Sequence, residues 1–303
     1  MRGLMIVNPN ATSTNGAIPE LVTRSLAGLV DLEVQRTQHR GHARELAAAA
    51  DVDLMIVLGG DGSVNEVVNG LMSREAPRPR LAVIPGGGAN VLARGLGLPA
   101  NATAAVRHVR EIIESGQYRT IGLGLAGDRY FTFSAGLGLD AEVVGEVERQ
   151  RTRGRRESAS LFLRSMMRLY FSGTDRRQPA LTLDRDSEPV AGQLFMCIVT
   201  NRSPWTYFRG RALLPVPDPD FNSGLDVLAL QRIRLSTILA VVGQMLWVRK
   251  RPTRGRDLLS VHGLESLALR SARPIAFQVD GEYLGETEAV EFHFVPDALQ
   301  VVA

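Results

Sequence analysis

Along the first third of the chain, hydrophobic positions fall into blocks that alternate between two periods. "GLMIVNP" (3–9) reads as a strand, and "AIPELVTRSLAGL" (17–29) carries apolar residues at helical spacing. "LEVQRT" (32–37) alternates as a strand does, and "HARELAAAA" (42–50) is rich in strong helix formers. "DLMIVLGG" (53–60) is a continuous apolar run, which suits a strand covered on both faces. A helix over 63–73, a strand "RLAVIPGG" (80–87) and a helix over 89–97 repeat the unit. This alternation predicts a doubly wound α/β domain with its functional groups at the carboxyl ends of the strands.

Past about residue 118 the pattern changes. Short strand candidates take over at 118–125, 129–135, 180–184, 193–201, 224–230, 258–262, 265–270 and 275–279. Turn residues separate many of them, as in "AGDR", "DRDSEP" and "PVPDPDFNSG". Helical spacing recurs near 140–150, 158–171 and 235–248. The expectation is a mostly antiparallel β-sandwich domain. The ending "AVEFHFVPDALQVVA" offers two more strands, one of which can return to the first domain. A chain of 303 residues suits two domains. Their expected bounds are 1–120, with a returning strand at about 292–303, and 121–291.

Composition narrows the class. The chain is 45% hydrophobic and 22% charged, ordinary for a globular protein. "MRGLMIVNPN" is too short an apolar run for a signal peptide, and "ILAVVGQMLWV" (238–248) falls short of the roughly 20 residues that span a bilayer. A cytoplasmic protein is expected, with contact at the inner membrane face left open. Cys197 is the single cysteine, which excludes an internal disulfide; inside "LFMCIVTN" it reads as a small buried strand residue. The histidines lie at 39, 42, 108, 262 and 293 with no CxxC or HExxH, so zinc has no support and "HRGH" (39–42) reads as a loop turn. Lys250 is the only lysine, and there is no GxxxxGK[ST], which excludes an ordinary P-loop nucleotidase.

"LGGDGSVNEVVNG" (58–70) and "IPGGGANVLARGLG" (84–97) each place a glycine turn between a buried strand and a helix. Such turns bring backbone N–H groups and a positive helix end to an anion. Two of them in adjacent βα units point to a phosphate or nucleotide site, with purely structural turns as the alternative. Asp61 also suits an Asx-turn. Ser63 suits an N-cap that Glu66 completes as a capping box. Asn65 and Asn69 share a helical face that neither favours intrinsically, which supports binding by Asn65 over Glu66.

"GGDGSVNEVVNG" closely resembles the GGDGTxNEVxxG signature of the diacylglycerol kinase catalytic family, which includes bacterial lipid kinases and sphingosine kinases. Further elements follow in the family's order. "IVNPNAT" (6–12) resembles its NPxSG loop, and "IPGGGANVLARGLGLP" its PxGTxNDxARxLGxP segment. "FSAGLGLDAEVV" (133–144) resembles its GxGxDAxV element, and "QVDGE" (278–282) its late DGE motif.

The resemblance implies an NAD-kinase-like or phosphofructokinase-like α/β domain, then a β-sandwich domain, with ATP between them. It places the nucleotide on Asn8, Pro9, Thr37, Gly59, Gly60, Asp61, Gly62, Ser63, Asn65, Gly87, Gly88 and Asn90. It makes Asp280 the catalytic base, supported by Glu282, and puts Asp61 with Asp140 and magnesium in a charge network around the phosphates. Read alone, the Asp280–Gly281 dipeptide is a hairpin turn. Three positions depart from the pattern. Gly88 stands for the family's threonine, and Val91 for the aspartate after its retained asparagine, Asn90. A loop resembling the structural-magnesium motif PxAxxxDGxLDV has Ser223 at the carboxylate before the glycine, with Asp220, Asp218 or Asp226 as replacements.

A lipid acceptor requires reaching a bilayer. "ERQRTRGRR" (148–156), "SLFLRSMMRLYF" (160–171) and Trp247 with "VRKRPTRGR" (248–256) could meet an anionic membrane surface. A solvated basic surface and a core helix are the alternative. Interleaved aromatics are lacking, which argues against nucleic acid. The implied partners are ATP, magnesium and a lipid with a free hydroxyl such as diacylglycerol; a homodimer stays open. Two other readings remain: a soluble-substrate kinase of the NAD-kinase type, which shares a GGDG loop, and a nucleotide-binding homologue without kinase activity. The "NE" after GGDG and the late DGE favour the lipid kinase.

Overall fold

The computed structural model describes residues 1–11, 17–153, 159–173, 178–185, 188–201, 204–208, 211–213, 221–247 and 253–303. Its chain divides into two compact units, Met1–Leu123 with Pro296–Ala303, and Gly124–Val295.

In the first unit the alternating periods become β1 (Arg2–Val7), α1 (Ala17–Leu26), β2 (Asp31–Arg36), α2 (His42–Ala49), β3 (Leu54–Gly59), α3 (Asp61–Met72), β4 (Arg80–Pro85), α4 (Val91–Gly95) and α5 (Ala102–Ser115). The strands lie parallel in the order β4-β3-β1-β2. Their register keeps the carboxyl ends level, with Gly59 opposite Pro85 and Val7 opposite Leu58 and Arg36. Every residue of β3 is buried, as its unbroken apolar run requires. Helix α2 packs on α3 and α1 on α5. The first contact depends on Gly70, where a Cβ would lie 2.4 Å from the Arg44 carbonyl oxygen.

Helix α5 is absent from the sequence reading. It has recognisable ends: the Asn101 side chain accepts the Ala104 N–H, and Gly116 closes it in the left-handed conformation. Its buried residues Ala102, Ala105, Val106, Val109 and Ile113 fall at helical spacing, so the signal was present and was overlooked.

The second unit is built on antiparallel pairs. It contains the end of β5 (Arg119–Ala126), then β6 (Arg129–Phe131), β7 (Ser134–Gly138), α6 (Leu139–Thr152), α7 (Ala159–Ser172), β8 (Leu181–Arg185), β9 (Glu188–Leu194) and β10 (Met196–Thr200). The short pair β11 (Thr206–Phe208) and β12 (Arg211–Leu213) follows, then β13 (Leu225–Leu230), α8 (Leu235–Trp247), β14 (Leu258–Leu264), β15 (Ser266–Val279) and β16 (Glu282–Val301). The ladder runs β14-β13-β10-β7-β15-β16, with β8 joining β15 to β9. Leu137, Leu183, Val199, Val227, Leu269 and Phe292 fill one core between these strands. Cys197 is buried among them, and burial pushes its thiol pKa well up, as befits an inert core residue. The fold is therefore an α/β unit and an antiparallel, strand-rich unit.

Two expectations are corrected here. Segments 265–270 and 275–279 form one strand, β15, whose register breaks between Arg270 and Ile275, where Pro274 sits. The two strands read at the end of the chain are likewise the single β16. Its last residues belong to the first unit, where Val301 pairs in parallel with Leu81. No helix among the described residues is long and apolar enough to cross a membrane.

Candidate active site

The level strand ends of the first unit collect its polar and glycine-rich positions at one sheet edge. Asn8 follows β1, Thr37 follows β2, Gly59–Asp61 joins β3 to α3, and Gly86–Asn90 joins β4 to α4. Asn8 Nδ2 donates to Ser63 Oγ at 2.9 Å, and Asn8 Oδ1 accepts the Asn10 N–H at 2.9 Å, which shapes the turn around Pro9. The Thr37 N–H donates to the Val7 carbonyl at 2.9 Å. A Cβ on Gly59 would stand 2.8 Å from Ser63 Cβ, and one on Gly87 would stand 2.7 Å from Gly60 Cα. The two glycine loops thus touch backbone to backbone, and side chains there would force them apart. Gly62 and Gly88 are exposed with no neighbour within 4 Å of a notional Cβ.

Two side chains fasten the loops. Asp61 Oδ1 accepts the N–H of Val91 at 2.6 Å and of Leu92 at 3.4 Å, so the first loop caps the helix that follows the second. Asn90, in the left-handed region, clasps Gly87: it accepts the Gly87 N–H at 2.9 Å and donates to the Gly87 carbonyl at 2.7 Å. The two departures in this loop differ in kind. Gly88 lies in open space, whereas Val91 is 3% exposed and packed.

Helix α3 begins at Asp61 with Gly60 as its N-cap, which corrects the capping box assigned to Ser63 and Glu66. Ser63 lies inside the first turn. Glu66 instead reaches another helix, its carboxylate accepting the N–H of Gly41 at 2.9 Å and Ala43 at 3.2 Å. There it meets the positive end of α2. Asn65 is 1% exposed; its backbone and side-chain oxygens accept from Asn69 Nδ2 at 2.9 and 3.2 Å.

In the second unit, Asp280 and Gly281 form the two-residue turn between β15 and β16, both at positive φ as a type I′ hairpin needs. The Asp280 carboxylate folds inward and is 4% exposed. Its Oδ2 accepts from the N–H and hydroxyl of Thr132, at 2.8 and 2.9 Å. Its Oδ1 accepts the N–H groups of Phe133 and Ser134, at 3.0 and 3.1 Å. Four donors suit the ionised form. Glu282, on the far side of the turn, forms an ion pair with Arg129.

Asp140, at the start of α6, is 7% exposed and accepts from Gln278 Nε2 at 2.8 Å. Burial pushes its pKa up from 3.8 to about 6, and the Gln278 hydrogen bond offsets part of the rise. Gln278 Oε1 also accepts the Gly281 N–H at 2.9 Å, so one amide ties Asp140 to the turn that carries Asp280. A Cβ on Gly136 would lie 2.3 Å from Asp140 Oδ2, so glycine is required beside that carboxylate. The sequence reading missed Thr132 and Gln278. Gln278 stands two residues before Asp280 on the same strand face, and Thr132 interrupts the apolar "YFTF"; both signals were present.

The remaining metal candidates read from the sequence are Asp218, Asp220 and Asp226. Asp220 and Asp218 lie outside the described residues. Asp226 Oδ1 accepts the Gly263 N–H at 3.1 Å and stands 3.3 Å from His262 Nδ1. His39 and His42 stack at 4.8 Å in the turn before α2, and His42 Nδ1 accepts the Gln38 N–H at 3.1 Å. Their ligand atoms converge with that of Glu45 within 4.8 Å, but the Gln38 bond occupies the Nδ1 lone pair of His42.

Residues 2–124 match the family model of the diacylglycerol kinase catalytic domain. The chain is similar to a diacylglycerol kinase of Bacillus subtilis, 28% identical over 249 residues that cover 80% of this chain and 76% of the relative. It is 25% identical over 295 residues to one of Staphylococcus carnosus, covering 95% of this chain and 90% of that one. A crystal structure of a diacylglycerol kinase from Bacillus anthracis shares the fold, with a TM-score of 0.70 at 21% identity over 99% of this chain and 96% of that chain.

Proposed function

We propose that the protein is an ATP-dependent lipid kinase acting on a lipid hydroxyl such as that of diacylglycerol, on the ground that residues 2–124 match the diacylglycerol kinase catalytic-domain model and that the chain is similar along most of its length to diacylglycerol kinases. The observation that carries this reading is the pair of glycine loops at the level strand ends, with Gly60 against Gly87 and Gly62 and Gly88 open to solvent. A backbone stripped of side chains at that edge suits the approach of phosphates to N–H groups. Asn8, Pro9, Thr37, Ser63 and Asn90 would frame the nucleotide.

In the reaction, the lipid oxygen bonds to the γ-phosphorus while the bond to the β,γ-bridging oxygen breaks. ADP leaves, and the hydroxyl proton passes to a base. Asp280 is the proposed base: its donors hold it ionised, and Glu282 with Arg129 steadies the strand beyond the turn. Asp140 is the proposed magnesium ligand of the second unit and Asp61 that of the first, with Asp220 a further candidate. A buried carboxylate whose pKa has risen to about 6 fits a divalent cation, which would favour its ionised form. When bound, magnesium supplies charge neutralisation at the phosphates.

Two observations favour a second reading, nucleotide binding without transfer. The Asp280 carboxylate already satisfies four donors, and Val91 replaces an acidic side chain with a buried apolar one. The test incubates full-length protein with labelled ATP, magnesium and a lipid extract, beside Asp280→Asn and Asp61→Asn. Circular dichroism confirms that the variants fold. Label in an organic-phase product from wild type, lost in both folded variants, is the expected result. Label on NAD, or ATP binding with no transfer to any acceptor, overturns the lipid-kinase reading.

A further inference from the structure

Phe171 and Leu239, 64% and 60% exposed, are the most exposed large apolar side chains among the described residues. They lie on neighbouring helices: the Tyr170 hydroxyl, next to Phe171 on α7, accepts the Leu235 N–H at the start of α8 at 3.0 Å. Helix α8, "LSTILAVVGQMLW", contains no charged residue. Its inward positions Ile238, Val241 and Met245 are buried, while Ser236, Leu239 and Ala240 face solvent. A helix on a water-facing surface ordinarily carries charge on its outer side.

Charge gathers around that neutral face. Arg232 and Arg234 precede α8, and they line an open cleft of about 530 Å³ with Arg256, Gln193, Gln231 and Asp257. Asp257 is the sole acid in the lining, 3.9 Å from Arg232. Arg254, also exposed, is held beside α8 by two backbone hydrogen bonds to the Gln244 side chain, at 2.9 and 3.0 Å. An uncharged helix face with protruding Leu and Phe, flanked by arginines, matches a surface that enters the headgroup region of a bilayer. A protein partner would not require the guanidinium groups at both ends of the helix, whereas lipid phosphates complement them.

We propose that the outer face of α8, the end of α7 and the adjoining arginine cleft dock the second unit on an anionic bilayer. Leu239 and Phe171 enter the boundary between headgroups and acyl chains, and Arg232, Arg234, Arg254 and Arg256 meet the lipid phosphates. The inference rests on the lipid-kinase reading, because such an acceptor resides in a bilayer.

Co-sedimentation of full-length protein with phosphatidylcholine vesicles, with and without phosphatidylglycerol, tests it. Wild type should bind the anionic vesicles, and added salt should weaken binding. Replacing Arg232, Arg234 and Arg256 together by Gln should weaken it roughly 100-fold. Leu239→Ser with Phe171→Ser should weaken it about tenfold or more. All variants should keep wild-type transfer to a short-chain, water-soluble diacylglycerol. Vesicle binding unchanged in both variants overturns the proposal. So does a gel-filtration shift from dimer to monomer in Leu239→Ser with vesicle binding intact, since the face would then join two copies. Selective vesicle binding by a wild type that transfers no phosphate supports docking and overturns the kinase reading alone.

Discussion

In the first unit, glycine brings two stretches of backbone together: Gly60 and Gly87 meet where any side chain would intervene, and the outer glycines remain open to solvent. In the second unit, a carboxylate does the joining. Asp280 gathers three consecutive residues, Thr132 to Ser134, from a segment nearly 150 positions away in the sequence and is itself enclosed. One candidate site is formed by leaving atoms out, the other by burying a charge. The difference teaches where function can be separated from folding. Changes at the open glycines should alter nucleotide binding alone, whereas changes at the enclosed carboxylates should alter stability as well.

The most severe way to probe this contrast is Asp280→Ala. It strands three N–H donors and a hydroxyl in a buried site, so unfolding free energy in urea should fall by on the order of 3 to 5 kcal/mol. A variant as stable as wild type would mean that the turn does not depend on the carboxylate.

Asp140→Asn should act in the opposite direction. The folded protein holds the Asp140 proton more tightly than the unfolded chain does, with a pKa of about 6 against 3.8. Stability contributed by this group is therefore present below pH 4 and declines as pH rises to 6. The amide variant escapes that loss, so it should gain at most about 3 kcal/mol over wild type at pH 8 and little at pH 4. Thermal denaturation at the two pH values measures it. Added magnesium should shrink the difference if Asp140 is a ligand.

The mildest test stays within one glycine loop. Gly87→Ala must displace Gly60 and should cost about 1–3 kcal/mol together with nucleotide affinity. Gly88→Thr, one residue on, meets open space and should change stability by less than about 0.5 kcal/mol while adding a hydroxyl near the phosphates. Titration with an ATP analogue should show tighter binding for Gly88→Thr alone; equal losses in both would show that the loop tolerates no side chain.

Much of the first unit was legible because parallel strands buried on both faces leave unbroken apolar runs, as in β3. The glycine loops were legible for a related reason, since they interrupt those runs abruptly. Other features depend on distant partners. Glu66 looked like the cap of its own helix because spacing reports neighbours along the chain, whereas the donors it meets, Gly41 and Ala43, lie on α2. Asp280 read as a turn and as a base; Thr132 stood out as a polar residue within "YFTF", but nothing in the sequence linked that segment to a turn nearly 150 positions away. The strands read as separate at β15 and β16 are continuous through prolines: Pro274 sits at a register break and Pro296 beyond the pairing with β15, where a missing N–H is tolerated.

The strand β16 also bears on how the protein is made. Leu299, Val301 and Val302 are buried at 2%, 0% and 0%, and they belong to the first unit. A nascent chain can pair β1 to β4 early, but the edge beside Leu81 stays bare until all of the second unit has left the ribosome. During that interval an apolar strand edge is available to other chains, which invites chaperone capture or aggregation. Order of synthesis and order of packing therefore diverge, and slower elongation through the second unit should lengthen the exposure.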